Sequence, residues 1–325
     1  MGGIAVTRDE QNSKVILNNI LERLTPTNNL IKTKSINPII SIGKARLQSN
    51  LDSSLFVARS GEVVVVDGEI YDDTGPVTDP ALFVANYFFE GKLDKLSWLN
   101  GSFSAIIAEP KSSTITLVTD RLGSVSLFVW RSGKNISAAS SLNALLADNR
   151  VPKRISVQGI SELLNYQRTI SDHTQYADIR VMPAAQIWQS KPNNWRETNT
   201  RRLVWSPKSF NEKQFSERLS NGLKQSVNRR TSDSYRHGLL LSGGLDARWV
   251  LAAKDKSTSP LSCLTVSTHE NYEVGIAQKC AKTRNHNHYF TTVNSDSLFQ
   301  NIDSATIDSD GLFPAPLNLY GQNFQ

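Results

Sequence analysis

The chain has 325 residues, 39% of them hydrophobic and 20% charged, which is enough for one large or two ordinary domains and excludes wholesale disorder. Thirty-six Lys and Arg against thirty Asp and Glu leave a net charge of +6, but no dense basic block concentrates it, so a nucleic-acid partner is not expected. Two cysteines, Cys263 and Cys280, exclude a disulfide scaffold and a four-cysteine metal site. With no membrane-span-length apolar run and no signal-peptide core, the expectation is a soluble cytoplasmic protein in a reducing compartment.

The first 150 residues or so read as sheet. Gly61–Gly68, Phe103–Ala108, Thr114–Thr119, Leu127–Trp130 and Ile136–Ala139 are short apolar or β-branched runs separated by turn residues, the pattern of antiparallel hairpins. In Thr114–Thr119, Ile115 and Val118 fall out of step for a simple alternation. Asp79–Phe89 and Ser156–Tyr166 have helical apolar spacing, and the mixture predicts a layered α+β domain. A polar stretch from Pro192 to Pro207 marks a boundary, with Trp195–Thr198 and Leu203–Trp205 as candidate edge strands. The expected domains are 1–200 and 207–325.

The second part changes character. Phe215, Leu219, Leu223 and Val227 recur every four residues, as in an amphipathic helix. Apolar strands at Gly238–Leu241, Leu261–Val266 and His288–Val293 alternate with helical segments at Ala247–Ala253 and Glu273–Lys282, the signature of a parallel sheet. Between the first such strand and helix stands Ser242-Gly243-Gly244-Leu245-Asp246. Glycines at a strand-to-helix turn bring backbone N–H groups close to a ligand, and the helix N-terminus favours an anion. The expected ligand is phosphate or pyrophosphate, with Asp246 implying Mg²⁺. The loop is neither the Gly-x-x-x-x-Gly-Lys type nor the Gly-x-Gly-x-x-Gly type.

Leu239–Asp246 resembles the pyrophosphate loop of the asparagine synthetase family, Ser-Gly-Gly-x-Asp-Ser, except that Ala247 stands at the last position. Val66–Tyr71, Leu99–Phe103, Asp120–Phe128 and Ile179–Ala184 resemble further segments of that family, in order, over about residues 1–290. The resemblance implies a four-layer α/β/β/α sandwich of the N-terminal nucleophile hydrolase type. A partial parallel-sheet domain of the adenine nucleotide α-hydrolase type follows it. It implies ATP and Mg²⁺ as cofactors, and Ser242, Gly243, Gly244, Leu245, Asp246, Arg248 and Val266 as the nucleotide site, with Arg248 a substitute cation and Val266 beside adenine. It implies a glutamine site at Asp67, Gly68 and Glu69.

Gly2 occupies the position of the family's nucleophilic cysteine and has no attacking atom, so glutaminase activity is not expected. The amide-holding Arg has no counterpart near Ser41–Gly43. The family's second acidic segment and its Lys are also missing, so the second domain reads as truncated or completed by a second polypeptide. The leading expectation is an amide ligase that adenylates a small-molecule or peptide carboxylate and takes free ammonia or a substrate amine. A non-catalytic or assembly homologue, half of a split ligase and a lactam-forming cyclase stay open, as does a homodimer. A sulfur- or tRNA-modifying enzyme sharing the loop is the weakest alternative. His286 and His288 read as a polar strand entry before a metal pair. Asp303, Asp308 and Asp310 read as a solvated acidic loop that borders a substrate cleft in the alternative reading. Cys263 and Cys280 read as core residues before a persulfide relay.

Overall fold

The computed structural model describes residues 2–24, 30–36, 38–47, 55–200, 206–209, 211–255, 259–293, 300 and 302–312. The chain divides into two compact units. The first comprises Met1–Ile70, Val77–Leu203 and Ile307–Phe313; the second comprises Tyr71–Pro76, Val204–Thr306 and Pro314–Gln325. Among the described residues, no helix is long and apolar enough to cross a membrane.

Two six-stranded antiparallel sheets build the first unit. One contains β1 (Gly3–Arg8), β2 (Leu30–Ile36), β3 (Ile40–Leu47), β8 (Phe128–Ser132), β9 (Asn135–Ala139) and β10 (Ile179–Val181), in the order β10-β8-β9-β1-β3-β2. The other contains β4 (Leu55–Val57), β5 (Val63–Tyr71), β6 (Asn100–Glu109), β7 (Thr114–Thr119), β11 (Gln186–Lys191) and β12 (Asn194–Asn199), in the order β12-β11-β7-β6-β5-β4. The polar segment after Pro192 is therefore first a hairpin turn and an edge strand. Three apolar clusters define the layers. Ile4, Val6, Ile42, Val65, Ile106 and Leu117 meet between the sheets. Helices α1 (Ser13–Arg23) and α3 (Leu142–Leu145) cover the first sheet through Leu17, Ile20, Phe128 and Leu145. Helix α2 (Pro80–Phe89) and a 3-10 turn at Leu93–Trp98 cover the second through Val84, Leu96, Phe103 and Val118. This is a four-layer α/β/β/α sandwich, the architecture that the sequence resemblance implies.

Covering both faces explains the strand that alternates imperfectly. Ile115 and Leu117 point between the sheets while Val118 points at the helix layer, and every residue of Thr114–Thr119 is buried. Asp79 caps α2 by accepting from the Leu82 N–H at 3.0 Å, and Pro80 begins the helix without an N–H to satisfy. Helix α4 (Val157–Tyr166) forms where its spacing predicts, but its buried residues are Gly159 and Glu162, while Val157 and Leu164 face solvent. Glu162 accepts from the Ile170 N–H at 2.8 Å and meets His173 Nδ1 at 2.9 Å. Gly159 packs on the Thr174 carbonyl, which a Cβ would overlap.

Asp310 corrects the acidic-loop reading. Its Oδ1 accepts from Ser141 Oγ at 2.7 Å and from the Asn143 N–H at 2.8 Å, so it caps α3 and fastens residues of the 307–313 segment within the first unit. Gln175 Nε2 donates to the Gly311 carbonyl at 2.9 Å alongside it.

The second unit has helix α5 (Glu212–Arg230), β13 (Gly238–Leu240), α6 (Leu245–Ala253), β14 (Ser262–Ser267), α7 (Tyr272–Thr283) and β15 (Asn287–Thr292), with Ile302–Thr306 of α8 (Ile302–Asp308). Its three strands are parallel, in the order β13-β14-β15, with Leu240 opposite Leu264 and Leu264 opposite Tyr289. Leu241, Leu251, Leu261, Cys263, Ala277 and Ala281 form its core beneath α6 and α7. The other sheet face carries Leu240 and Tyr289, both exposed. The candidate edge strand at 203–205 lies outside the described residues.

Burial pushes the Asp310 carboxyl above its ordinary range, against the lowering effect of its bonds to Asn143 and Ser141. A folded pKa raised above the unfolded one means protonation favours the folded chain. That contribution is fully present below the unfolded pKa and is lost as pH rises through the folded value. Asp310→Asn keeps an oxygen acceptor for both bonds and should flatten the urea-midpoint pH profile in the mildly acidic range. Asp310→Ala removes the cap and should lower stability by about 1 kcal/mol. At Gly159, a Cβ has no room, and Gly159→Ala should destabilise by about 1–3 kcal/mol in urea melts of the full chain.

Candidate functional site

The Ser242–Asp246 loop leaves β13 at the carboxyl edge of the parallel sheet, where open α/β sheets place ligands. Its entry is pinned from β14. The Leu241 N–H donates to the Leu264 carbonyl at 2.8 Å, and Thr265 Oγ1 donates to the Leu241 carbonyl at 2.6 Å. The Thr265 hydroxyl then has no proton left, so His288 Nε2, 2.8 Å away, is the donor in that pair. His286 Nδ1 accepts from the Leu261 N–H at 3.1 Å. Burial lowers the pKa of both histidines, with Arg284 and Lys254 adding to the effect at His286. Both are neutral hydrogen-bonding groups of the sheet, as the polar-entry reading expects.

Beyond Leu241 the chain is open to solvent. Ser242, Gly244, Leu245 and Asp246 are exposed and Gly243 half-buried. Ser242 Oγ accepts from the Gly244 N–H at 3.2 Å and draws the loop into a tight turn. Gly244 is the N-cap of α6 and offers no capping side chain, so the first N–H groups of that helix have no side-chain acceptor at this position. A Cβ on Gly243 would lie 3.1 to 3.3 Å from Glu273, so the first turn of α7 walls one side of the loop. Asp246 sits in the first turn of α6, where the helix dipole favours its charge.

Arg248 is turned back onto the loop: its Nε donates to the Gly244 carbonyl at 3.1 Å. Ala247 packs its methyl group against the core. Val266 lies one residue from the end of β14, half-buried, opposite Thr291. Asn271, beyond that strand, accepts from the N–H groups of Glu273 and Val274 and caps α7. The wall at Glu273 is invisible in sequence, where the residue reads only as a helix-start charge.

Mg²⁺ fits this donor set in one way. Among the described residues no three His, Cys, Asp or Glu side chains converge to hold an ion. Asp246 supplies one hard carboxylate, and such an ion takes its other ligands from phosphates and water. Cys263 is buried, and burial raises its thiol pKa, while Cys280 is half-buried beside the same core. Both fit the reading as core residues.

In the first unit, the residues at the head of β1 are Gly2 and Gly3. A Cβ on Gly3 would overlap Ser140 Oγ, which accepts from the Ile4 N–H at 3.0 Å. Lys44 is opposite Ile4 in the register, and its buried side chain crosses between the sheets to donate from Nζ to the Val66 carbonyl at 2.7 Å. Asp67, Gly68 and Glu69 follow directly. Gly68 has a φ of +94°, and a Cβ there would overlap the Ser102 carbonyl oxygen. Neither Lys44 nor Ser140 carries a sequence signal of its role.

The Asp120 motif is scaffolding. Its carboxylate accepts from the N–H groups of Phe103, Leu122 and Ser124 at 3.1, 2.7 and 2.9 Å, and Arg121 Nη2 donates to Asn100 Oδ1 at 2.7 Å. Two of the recognisable segments are thereby bonded to each other.

Residues 77–201 match the glutamine amidotransferase domain family, and residues 218–317 match the asparagine synthase family. The chain carries the domain pair of the asparagine synthetase family. No curated protein matches it. Among solved structures, glutamine phosphoribosylpyrophosphate amidotransferase from B. subtilis, complexed with ADP and GMP, superposes with a TM-score of 0.42 at 9% identity over 93% of this chain and 70% of that one. A structure of the allosteric regulatory enzyme of purine biosynthesis superposes at 0.44 with 8% identity, over 89% and 80% respectively.

The wall at Gly243 makes a prediction about this asparagine synthase-type domain. Gly243→Ala pushes a methyl group against Glu273 and should loosen the loop. Faster amide exchange at Ser242–Asp246, with the far-UV spectrum unchanged, is the expected outcome.

Proposed function

We propose that the chain is an ATP-dependent amide ligase of the asparagine synthetase type that does not hydrolyse glutamine. One observation carries the reading. A loop bare of Cβ atoms at two positions opens α6 at the carboxyl edge of a parallel sheet, inside the segment that matches asparagine synthase. In this reading the N–H groups of Gly243 and Leu245 and the Ser242 hydroxyl, which the Gly244 N–H orients, hold the β- and γ-phosphates. Asp246 takes Mg²⁺, which neutralises phosphate charge, and Arg248 adds a cation at the rim. Val266 lies along the adenine. A carboxylate oxygen of the substrate attacks the α-phosphorus and pyrophosphate leaves. Ammonia or an amine then displaces AMP from the acyl-adenylate. A small acid, a peptide acid and an intramolecular amine all suit this chemistry.

Ala247 favours a second reading, a non-catalytic homologue. Its methyl group is committed to the core, and one hydroxyl donor to phosphate is missing. Titration with ATP and Mg²⁺ separates the two readings. The ligase reading expects binding, and pyrophosphate release once a suitable carboxylate is present. Asp246→Asn should weaken Mg·ATP binding by roughly tenfold, about 1.4 kcal/mol. Ser242→Ala should weaken it by about 1 kcal/mol, the net worth of one hydrogen bond. No heat of binding from ATP with Mg²⁺ would remove the ligase reading.

The glutamine prediction rests on missing chemistry. An N-terminal nucleophile hydrolase needs an attacking atom on the residue whose amine acts as base. The head of β1 supplies glycine twice, and both cysteines of the chain lie in the other unit. A coupled assay should detect no glutamate from glutamine, with or without ATP. Gly2→Cys alone should restore little, because the family's amide-holding Arg has no counterpart near Ser41–Gly43 and misplacement of the amide is costly.

A further inference from the structure

The second unit carries an apolar surface that its own fold does not cover. Phe215 and Leu219 on α5 are 54% and 46% exposed, and Leu245 and Trp249 on α6 are 63% and 51% exposed. The same helices bury Val227 and Leu251, so each has a core stripe and a second apolar stripe outside it. Two grooves flank α6. One, about 200 Å³, runs over Leu219, Leu223 and Trp249 between α5 and α6. The other, about 400 Å³, runs over Leu245, Trp249 and Cys280 between α6 and α7. They share Trp249 and Ala252, which makes them one surface with the indole on the ridge between. Contiguous apolar surface of this kind marks an interaction site.

Among the described residues that line the two grooves, the charged ones are all basic: Lys224 in the first, and Arg248, Lys279 and Arg284 in the second. Glu212 and Glu217 lie at the outer end of α5, in a shallow depression with Lys213. We propose that this surface docks an amphipathic α-helix of a partner protein, apolar on one face and acidic along its flanks. Two parallel grooves about a central ridge suit a helix that straddles Trp249 with side chains three and four residues apart. A second copy of this chain is disfavoured, because a two-fold contact would set four cations against the same four. Nucleic acid is disfavoured by the apolar floor. Leu245 and Arg248 belong both to this surface and to the loop, so docking also fixes the first turn of α6. The docking itself does not depend on the nucleotide reading.

Two synthetic peptides of about 18 residues, roughly five helical turns, test this. They share one Leu stripe, and one carries Glu on its flanks where the other carries Lys. Each is titrated into the full chain while hydrogen exchange is read along α5, α6 and α7. The acidic peptide should protect Phe215–Leu223 and Leu245–Ala252 and bind at least about tenfold tighter than the basic one, with the gap narrowing as salt rises. The double variant Lys224→Glu, Lys279→Glu, at two surface positions, should erase or reverse that preference, and Trp249→Ser should remove protection by both peptides. Equal affinity for the two peptides, or protection elsewhere in the chain, overturns the proposal. A dimer in sedimentation that Trp249→Ser dissolves would assign the surface to a second copy. A DNA oligonucleotide protecting the same amides more strongly than the acidic peptide would assign it to nucleic acid. Either result also overturns the proposal.

Discussion

Burial of both faces of both sheets is the constraint on which the first unit depends. A sheet in the middle of four layers has no solvent face, so its strands cannot alternate apolar with polar residues as an open antiparallel sheet does. Every polar group left inside must then be paired. Arg8 shows the cost of an exception: it is nearly buried on β1 and gives its guanidinium to the carbonyls of Lys134, Ser113 and Ser190 and to the Ser190 hydroxyl. Asp148 is fully buried and is met by Arg150 Nη2 at 2.8 Å and by Ser137 Oγ at 2.6 Å. Room for chemistry remains only at strand ends and in the loops that leave them.

The second unit obeys the opposite condition. A three-stranded parallel sheet covered by helices on one face leaves Leu240 and Tyr289 in water on the other. Its core is made of small and medium side chains, with Ala277, Ala281 and Cys263 at the helix–sheet contact. The Thr265 hydroxyl therefore has a task beyond packing. It bonds β14 to the last carbonyl before the loop, and so fixes the point from which Ser242 departs.

Much of this was legible in the sequence, and the gaps have physical causes. Strands β5 to β9 and β13 to β15 show as apolar runs between turn residues, and α2, α5, α6 and α7 show in their spacing. The opening β1-α1-β2-β3 segment gave no comparable signal. Gly3–Arg8 mixes Thr and Arg into a strand that is buried throughout, because Thr7 and Arg8 find partners that only the fold brings near. Helix α4 was found by its spacing and yet buries Glu162 and Gly159, since the Ile170 N–H and the Thr174 carbonyl decide its inward face. The strand-to-helix turn at Ser242–Asp246 is legible because its glycines, its strand and its helix are contiguous. Glu273, Lys44 and Ser140 come from distant strands and helices, and nothing local marks them.

The residues that make the first unit recognisable are not those that would make it react. Asp120 accepts backbone N–H groups, Arg121 bonds the Asn100 side chain and Gly68 lets β5 approach the Ser102 carbonyl, so each has a folding reason to remain whatever stands at the head of β1. Gly2, ahead of β1, has no side chain through which to hold any of these segments. A change at Asp120 strips three backbone N–H groups of their acceptor. Resemblance in such a domain records the fold, and activity has to be argued from the one position where the attacking atom would be.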